Sequence, residues 1–398
     1  MLILFDFNCL FATGDSLYYL EVGRNIFNFA IHGEGNPVTA SYYRPPIYSA
    51  FVGLIDTIFG YNLNAFFIIQ SIISIWGAII TYFLLSEHSK HISFLSSLLI
   101  ASSPFEALMN SRVFSENITT MFLLMSFLIM VFSQKKSRFI ISGILMGFTI
   151  LSRDVYLLLP IFTVMFFMII NKREKGLIIY LIAVIITISP WIIRNFQLSN
   201  GGLFLSKGIL GPGLWIGTWE KNPDWMRNSK LLPDDVFIIG TNEDKKNEIR
   251  DRWEHRNQFD QYFKNLSFEK ITSEPLDVIK TWIIRAPRLW FGTRSDHYAM
   301  RAVSGSHKYF FYKSVFFMLN AIIIITGILG IFASYKNDKR FFLLSIPIIY
   351  VFIIFLPLHV ETRYSASVLP FIIIFSSYFI VKKWIIYRGN QSRPEGYN

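Results

Sequence analysis

The run NAFFIIQSIISIWGAIITYFLL, residues 64–85, decides the fold class of this chain. It carries no charged side chain, and about 20 apolar residues in a helix are enough to cross the hydrocarbon core of a bilayer. The rest of the 398-residue chain is of the same kind, with 53% hydrophobic and only 16% charged residues. Soluble domains carry roughly 25% charged residues. The sequence therefore predicts an all-α polytopic membrane protein.

Further apolar runs predict more membrane-crossing helices. The run 138–151 is short and crosses only if its flanks contribute. Together with the first run, these segments predict about nine to ten transmembrane helices. They lie at about 92–110, 116–133, 138–151, 155–171, 176–194, 314–335, 341–358 and 364–381.

The loops between these helices alternate in charge. Every second loop is rich in Lys and Arg, and the positive-inside rule assigns such loops to the cytoplasm. The net charge of +11 is then explained without a nucleic-acid partner. His88 and His91 lie at the first of these loops and are expected to be solvated. The remaining loops lie on the extracytoplasmic side, and the C-terminus is cytoplasmic. The basic loops are 86–91, 133–138, 171–175, 335–340 and 381–388.

This layout divides the chain into three parts. Residues 1–195 form an N-terminal transmembrane bundle whose first outer loop covers about 14–63. Residues 196–313 form one large extracytoplasmic loop, and residues 314–398 form C-terminal helices with a short tail. The 13 residues before Gly14 are too short to span and have no basic start. Either a first helix is stunted here, or the start lies downstream of the true one.

Two acidic residues on the outer side stand at predicted helix starts. Asp15 begins an amphipathic helix over 12–30, which suits the membrane interface, and Glu116 begins an apolar helix after Ser115. Asp and Ser are common N-caps, and the helix dipole favours a first-turn acid, so each has a structural explanation. Carboxylates also act as general bases or hold a divalent cation. Both interpretations stay open for Asp15 and Glu116.

Arginines gather on the same outer side. A lone interfacial Arg usually anchors a helix, and Arg153 has a potential partner in the adjacent Asp154. Four arginines and two carboxylates on one face fit a different role better, because Arg binds phosphate through paired donors. The pattern indicates a site for a phosphate-bearing lipid. The four are Arg44, Arg153, Arg194 and Arg363.

Other chemistry is absent or weakly indicated. The sequence has no GxxxxGK[ST], HExxH or GxSxG motif, and its single cysteine excludes an intrachain disulfide and a cysteine-based metal site. Asp296 and His297 are weak metal candidates. The sequons at Asn117 and Asn265 matter only in a glycosylating secretory pathway.

Several short stretches stand in a characteristic order along the chain. They are GDSLYYLEVGRNI, YYRPPIYSAFVGLIDTIFG, SENITTMFLLM, ILMGFTILSRDVYLLLP, SPWIIRN with GPGLWIGTW, and ETRYSASVLPF. In this order they resemble the integral-membrane GT-C glycosyltransferases, in the branch that holds protein O-mannosyltransferases and lipid A aminoarabinose transferases. The likeness covers most of residues 14–381, and the order is more specific than any single motif.

The resemblance implies a role for each matching residue. Asp15 matches the catalytic acid that deprotonates or orients the acceptor, and Glu116 matches a second acidic position. Arg44 and Arg363 match basic residues that contact the phosphate of a polyprenyl-phosphate sugar donor. We assign Arg153 and Arg194 to the same phosphate from their place on the outer face, with supporting roles for three neighbours. These neighbours are Tyr43, Tyr364 and Glu361, and Glu361 would orient Arg363.

The resemblance leaves the metal undetermined. Some relatives need a divalent metal and others do not. Asp15 is followed by Ser16, where some relatives carry two adjacent acids, and this departure weakens the case for a metal. No cofactor is certain.

Two other functions remain open at this point. One is a polymerase or ligase acting on lipid-linked polysaccharide, and the other is a lipid or solute transporter. The early acidic motif argues against the first, and the clustering of charges at helix ends, away from the bilayer midplane, argues against the second. The sequence leaves the sugar and the acceptor open, whether protein, lipid or glycan, and favours a bacterial inner membrane.

Overall fold

We describe a computed structural model of the chain over nine segments. Every helix discussed below lies within them, and they contain no β-strand. The segments are 19–27, 44–60, 62–110, 112–171, 174–198, 202–206, 210–219, 256–291 and 306–391.

Helices follow one another along the chain, with short 3-10 turns at Asp154–Tyr156, Leu343–Ser345 and Thr362–Val368. The helices are α1 (19–27), α2 (Pro46–Phe59), α3 (Leu63–Ser86), α4 (Lys90–Ala101), α5 (Pro104–Asn110), α6 (Glu116–Phe132), α7 (Arg138–Ser152), α8 (Leu159–Asn171), α9 (Gly176–Leu198), α10 (Leu210–Trp219), α11 (Arg256–Ser273), α12 (Pro275–Arg285), α13 (Arg288–Phe291), α14 (Ser306–Asn337), α15 (Lys339–Phe342), α16 (Ile346–Phe355) and α17 (Leu369–Gln391).

Four helical stretches in the described segments are long and apolar enough to cross a membrane. Four shorter apolar helices accompany them, among them α6, whose 17 residues cover about 25 Å of a core that is about 30 Å thick. The chain is therefore an integral membrane protein, as predicted, but the count of nine to ten spans is not confirmed. The long stretches are Asn64–Ser86, Gly176–Gln197, Ser314–Asn337 and Thr362–Ile385.

Two of the predicted spans are interrupted. The run 92–110 divides into α4 and α5, because Ser102 turns its hydroxyl back to the Leu98 carbonyl and Ser103 accepts the amide of Glu106. Pro104 then starts a new helix, since it has no N–H to continue the old one. The run 341–358 likewise divides into α15, a 3-10 turn and α16.

The helix α17 lies at the centre of the bundle. The best apolar window of the Thr362–Ile385 stretch is 83% buried, against 17% for the Ser314–Asn337 stretch in α14. The α14 helix therefore has most of its surface turned outward. Elsewhere in the bundle α7 packs closely on α9. Gly143 and Gly147 lie directly against α9 there and leave no room for a side chain. Small residues four apart let helix backbones approach in this way.

The basic loops meet at one end of this bundle. The His88 ring pairs with Asp338 at 2.9 Å and packs against Phe132 and Phe341. Similar contacts connect the remaining loops, and they join Arg340 to Phe132, Arg138 to Glu174, and His91 to Trp384. His88 is exposed, as expected of a solvated residue, and where the loop ends meet it also has an acidic partner in Asp338. We call this the basic end; its assignment to the cytoplasm stays a prediction.

Candidate active site

The opposite end of the bundle brings together the first residue of α6 and the turn after α7. Glu116 is buried, and its Oε1 lies 2.9 Å from Nη1 of Arg153. The expected pairing of Arg153 with Asp154 is wrong, because the 3-10 turn points Asp154 to the hydroxyl of Ser206. Burial alone would lower the pKa of the Arg153 guanidinium, but the Glu116 carboxylate and nearby tyrosines outweigh it and raise that pKa. Arg153 is therefore held as a cation.

A second ion pair lies beside the first. Nε of Arg363 is 2.7 Å from Oε2 of Glu361, and Nε2 of His359 is 3.2 Å from the other carboxylate oxygen. These residues lie in the short connection between α16 and α17, where a 3-10 turn begins at Thr362. The local sequence HVETR thus places one carboxylate between a ring and a guanidinium.

The Tyr364 ring joins the two ion pairs. The guanidinium carbon of Arg363 lies 5.2 Å from its centroid and that of Arg153 lies 5.6 Å away. Both distances are within the range of cation–π attraction. The ring is itself stacked on Phe355, at 4.8 Å and 12°. Two like charges are therefore held near each other by a shared aromatic ring and by separate carboxylates.

The Arg153 contact leaves donor capacity for another acceptor. Its Nη1 is close to Glu116, yet that N–H makes no hydrogen bond within the described residues. The contact is therefore one of charge and not an aligned hydrogen bond. Such a buried donor gains most from an acceptor that supplies correct geometry.

Arg44 reaches the same end through a tyrosine that the sequence analysis did not single out. The Arg44 guanidinium lies 5.6 Å from the centre of the Tyr19 ring, and the Tyr19 hydroxyl donates to Oγ of Ser115 at 3.5 Å. Ser115 stands at the N-cap position of α6, as expected, but its side chain makes no cap bond to the helix. One signal for Tyr19 was available: it follows Asp15 by four residues, one helical turn.

A buried polar network fixes the chain just before Glu116. The amide of Gln70 donates to the carbonyl oxygens of Asn110 and Arg112, both at 2.9 Å. The amide of Asn117 donates to Ser74, Asn110 and the Gln70 carbonyl. Asn117 is buried and fully engaged as a donor, so its sequon is not available for glycosylation. The network instead sets the position at which α6 begins.

Arg194 is linked to the cluster through the segment 202–206. Its guanidinium packs over the Trp191 ring at 4.4 Å and donates to Asn195 at 2.8 Å. Asn195 in turn donates to the Phe204 carbonyl, two residues before Ser206, the partner of Asp154.

Several predicted residues lie outside the described segments, and their roles stay predictions. Within the described residues, no group of three or more His, Cys, Asp and Glu side chains is arranged to hold a metal ion. Glu116 and Glu361 each face an arginine instead. The residues outside are Asp15, Tyr43, Asp296 and His297.

Comparison with known proteins supports the resemblance drawn from the motifs. The family model for dolichyl-phosphate-mannose-protein mannosyltransferase matches residues 43–193, which include Arg44, Glu116 and Arg153. No curated protein sequence matches the chain. The resemblance to the GT-C membrane glycosyltransferases is therefore confirmed by the sequence match over residues 43–193. A likeness of fold to solved structures adds to it.

Solved structures of one archaeal protein share the fold of this chain at low sequence identity. The apo oligosaccharyltransferase of Archaeoglobus fulgidus is 13% identical, with a TM-score of 0.52 over 98% of this chain and 49% of that one. The same protein with Zn and sulfate is 14% identical, with a TM-score of 0.52 over 95% of this chain and 46% of that one. A weaker likeness, with a TM-score of only 0.39, is to ArnT from Cupriavidus metallidurans bound to undecaprenyl phosphate, which is 11% identical with coverages of 92% of this chain and 72% of that one. The chain spans about half the length of the oligosaccharyltransferase it matches.

Proposed function

We propose that this chain is a membrane glycosyltransferase that moves a sugar from a polyprenyl-phosphate donor to an acceptor on the extracytoplasmic side. We further place it in a bacterial inner membrane, with the basic end in the cytoplasm. The observation that carries the proposal is the pair of arginines on the Tyr364 ring, at 5.2 and 5.6 Å. They lie at the end of the bundle opposite the basic loops, at the level where a lipid headgroup would sit.

The charge balance of this cluster suits a lipid phosphate. Glu116 and Glu361 offset Arg153 and Arg363, and Arg44 adds a positive charge through Tyr19. A polyprenyl-phosphate sugar is a phosphodiester with one negative charge, and its leaving group, polyprenyl phosphate, gains a second. Donors that are already oriented stabilise the charge as it develops. The arginines would therefore favour departure of the phosphate over binding of the intact donor.

The transfer itself is a single displacement. The acceptor oxygen or nitrogen bonds to the anomeric carbon as the bond from that carbon to the phosphate oxygen breaks, and the electron pair leaves with the phosphate. The acceptor proton goes to the Asp15 carboxylate, acting as a general base. The role of Asp15 rests on the motif GDSLYYLEVGRNI, and one displacement predicts inversion at the anomeric carbon.

The remaining candidates support these groups. Glu116 holds Arg153, Glu361 orients Arg363, and Tyr364 keeps the two arginines together. Arg194 joins the phosphate side through the segment 202–206. Residues 196–313 shape the acceptor side, with the N-terminal bundle, 1–195, and the C-terminal helices, 314–398, around the donor.

The test measures sugar transfer or release from a panel of polyprenyl-phosphate sugars by the full chain in reconstituted membranes. Asp15→Asn and Arg363→Ala are compared with wild type. Arg138→Ala is a matched control, because Arg138 also pairs with a glutamate, at 2.6 Å, and packs over an aromatic ring, at 4.7 Å, at the basic end. Turnover of one donor, lost in Asp15→Asn and Arg363→Ala but kept in the control, supports the proposal.

Other results assign a different function. Full activity of Asp15→Asn contradicts the proposed base. A long-chain product made only from lipid-diphosphate oligosaccharides identifies a polymerase or ligase. Movement of lipid or solute across the membrane with no sugar transfer identifies a transporter.

A further inference from the structure

Arg285, the last residue of α12, has no part in the mechanism above, yet it is completely buried. It is 0% exposed and is the largest fully buried side chain in the described segments. Burial of a guanidinium is costly unless hydrogen bonds compensate it. Its Nη2 donates to the carbonyl oxygen of Leu356 at 3.1 Å. Leu356 directly follows α16, where a helix leaves carbonyl oxygens without partners and favours a nearby cation.

Two further side chains attach the same connection to the outer helices. Oγ1 of Thr362 donates to the carbonyl of Arg288 at 3.3 Å, and Oγ of Ser365 donates to that of Leu289 at 2.6 Å. Arg288 and Leu289 belong to α13, which follows α12 after two residues. The pair of helices α12 and α13 therefore holds the connection at both of its ends.

The helix α10 holds the middle of the connection. The amide of His359 donates to the carbonyl of Gly213 at 2.8 Å. Gly217 lies so close to the carbonyl of Pro357 that a Cβ there would collide with it. The segment 356–365 is thus attached along its length to helices of the large loop, and it contains Glu361, Arg363 and Tyr364.

We propose that Arg285 is a positioning residue for Arg363: it ties α12 to the start of the segment 356–365 and so sets the affinity for the lipid phosphate. The inference rests on the proposed function, because Arg363 is taken to bind that phosphate. A guanidinium recognises phosphate through a planar pair of donors, so its affinity depends on a fixed orientation. Release of Leu356 would loosen the start of the segment, so Arg363 would hold its orientation over Tyr364 for less of the time.

The test compares Arg285→Met, Arg285→Lys and Lys280→Met with wild type in nanodiscs, using undecaprenyl phosphate as the probe. Lys280 is the control, because it lies on the exposed side of the same helix and its loss removes the same charge. Two quantities are measured: the Kd for the probe and the hydrogen exchange of the peptide 356–365, including the His359 amide. Arg285→Met is expected to weaken binding about tenfold, Arg285→Lys about threefold, and the control less than about twofold. Exchange is expected to rise in the same order.

A smaller substitution covers the case in which Arg285→Met does not fold. Ser365→Ala removes one attachment to α13 and is expected to raise exchange and weaken binding about threefold. Unchanged affinity with faster exchange overturns the proposal, and so does weaker binding with unchanged exchange. If wild type does not bind the probe, the proposed function fails. If wild type binds and both Arg285 variants bind equally well, only the positioning role fails.

Discussion

Arg340 at the basic end makes contacts of a different kind from those of Arg153 and Arg363 at the site end. At the basic end, Arg340 donates to the carbonyl oxygens of Val131 and Phe132, where α6 ends, at 2.6 and 3.1 Å. At the site end, Arg153 and Arg363 lie against carboxylates and share the Tyr364 ring. The first arrangement uses the donors to close a helix. The second keeps two charges in place beside each other, which is what an anion site requires.

The ion pairs also differ in burial, and this difference predicts the largest effect. Glu116→Gln removes one partner of a pair whose side chains are 4% and 13% exposed, and leaves Arg153 buried without its counterion. Breaking a buried pair in this way costs about 3–5 kcal/mol. Glu174→Gln at the basic end, where the exposures are 27% and 21%, is expected to cost about 1 kcal/mol or less. Thermal unfolding of the two variants in detergent checks the difference, and equal losses would contradict it.

Glu106, a third carboxyl at the site end, has no cationic partner among the described residues, and this difference predicts the next effect. Burial raises the pKa of Glu106 to about 7 from its ordinary value of 4.5, and its Oε1 has no hydrogen-bond partner in the described segments. Between these two pH values the folded chain binds the extra proton, so stability falls as pH rises from 4.5 to 7 and is level above. The loss amounts to about 3 kcal/mol.

Glu106→Gln is expected to remove this pH dependence. The variant should melt at a higher temperature than wild type at pH 8, and the gain should shrink at pH 5, where wild type is protonated. Glu116→Gln serves as the comparison, because it should lower stability at both pH values. A Glu106→Gln variant whose melting temperature changes with pH as much as that of wild type would contradict the assignment.

The sequence could predict features that depend on neighbouring residues, but not contacts between distant segments. The apolar runs and the pairing of Glu361 with Arg363 depend on neighbours along the chain, so pattern and spacing were sufficient for them. The partner of Arg153 was wrong because Asp154, although adjacent, is turned away by a 3-10 turn, and Glu116 is brought in only by the packing of α6 on α7. The part of Tyr19 in connecting Arg44 to Ser115 likewise depends on tertiary contacts between distant segments. Local pattern predicts helices and adjacent pairs, but it does not determine which charges meet across helices.

The helix breaks show a related limit of prediction from hydropathy. Hydropathy averages over a window, so the run 92–110 reads as one span even though Ser102, Ser103 and Pro104 together end one helix and begin another. The serine hydroxyls compete for backbone groups, which a polarity scale does not register. The Ser-Ser-Pro sequence itself predicts a break, because the two hydroxyls compete for backbone groups and Pro104 has no N–H to continue the helix.

The smallest expected effect concerns the pair at the basic end. Burial opposes ionisation of Asp338, but hydrogen bonds with the His88 ring and from the Phe341 amide outweigh it and lower its pKa below the ordinary 3.8. Its contribution to stability is therefore present above pH 3.8 and is lost as pH falls through the lower pKa of the folded chain. Asp338→Asn keeps a side chain that can cap α15 but removes the negative charge beside His88, so it is expected to cost about 1 kcal/mol or less at pH 7. Melting curves at pH 7 and near pH 3 should show that the difference in stability between the variant and wild type becomes smaller at the lower pH.

Donor turnover by Asp338→Asn at pH 7 should stay unchanged, since Asp338 and His88 lie at the other end of the bundle from Arg363. A loss of turnover as large as that of Arg363→Ala would mean that the two ends act together, and that the basic end does more than close the helices.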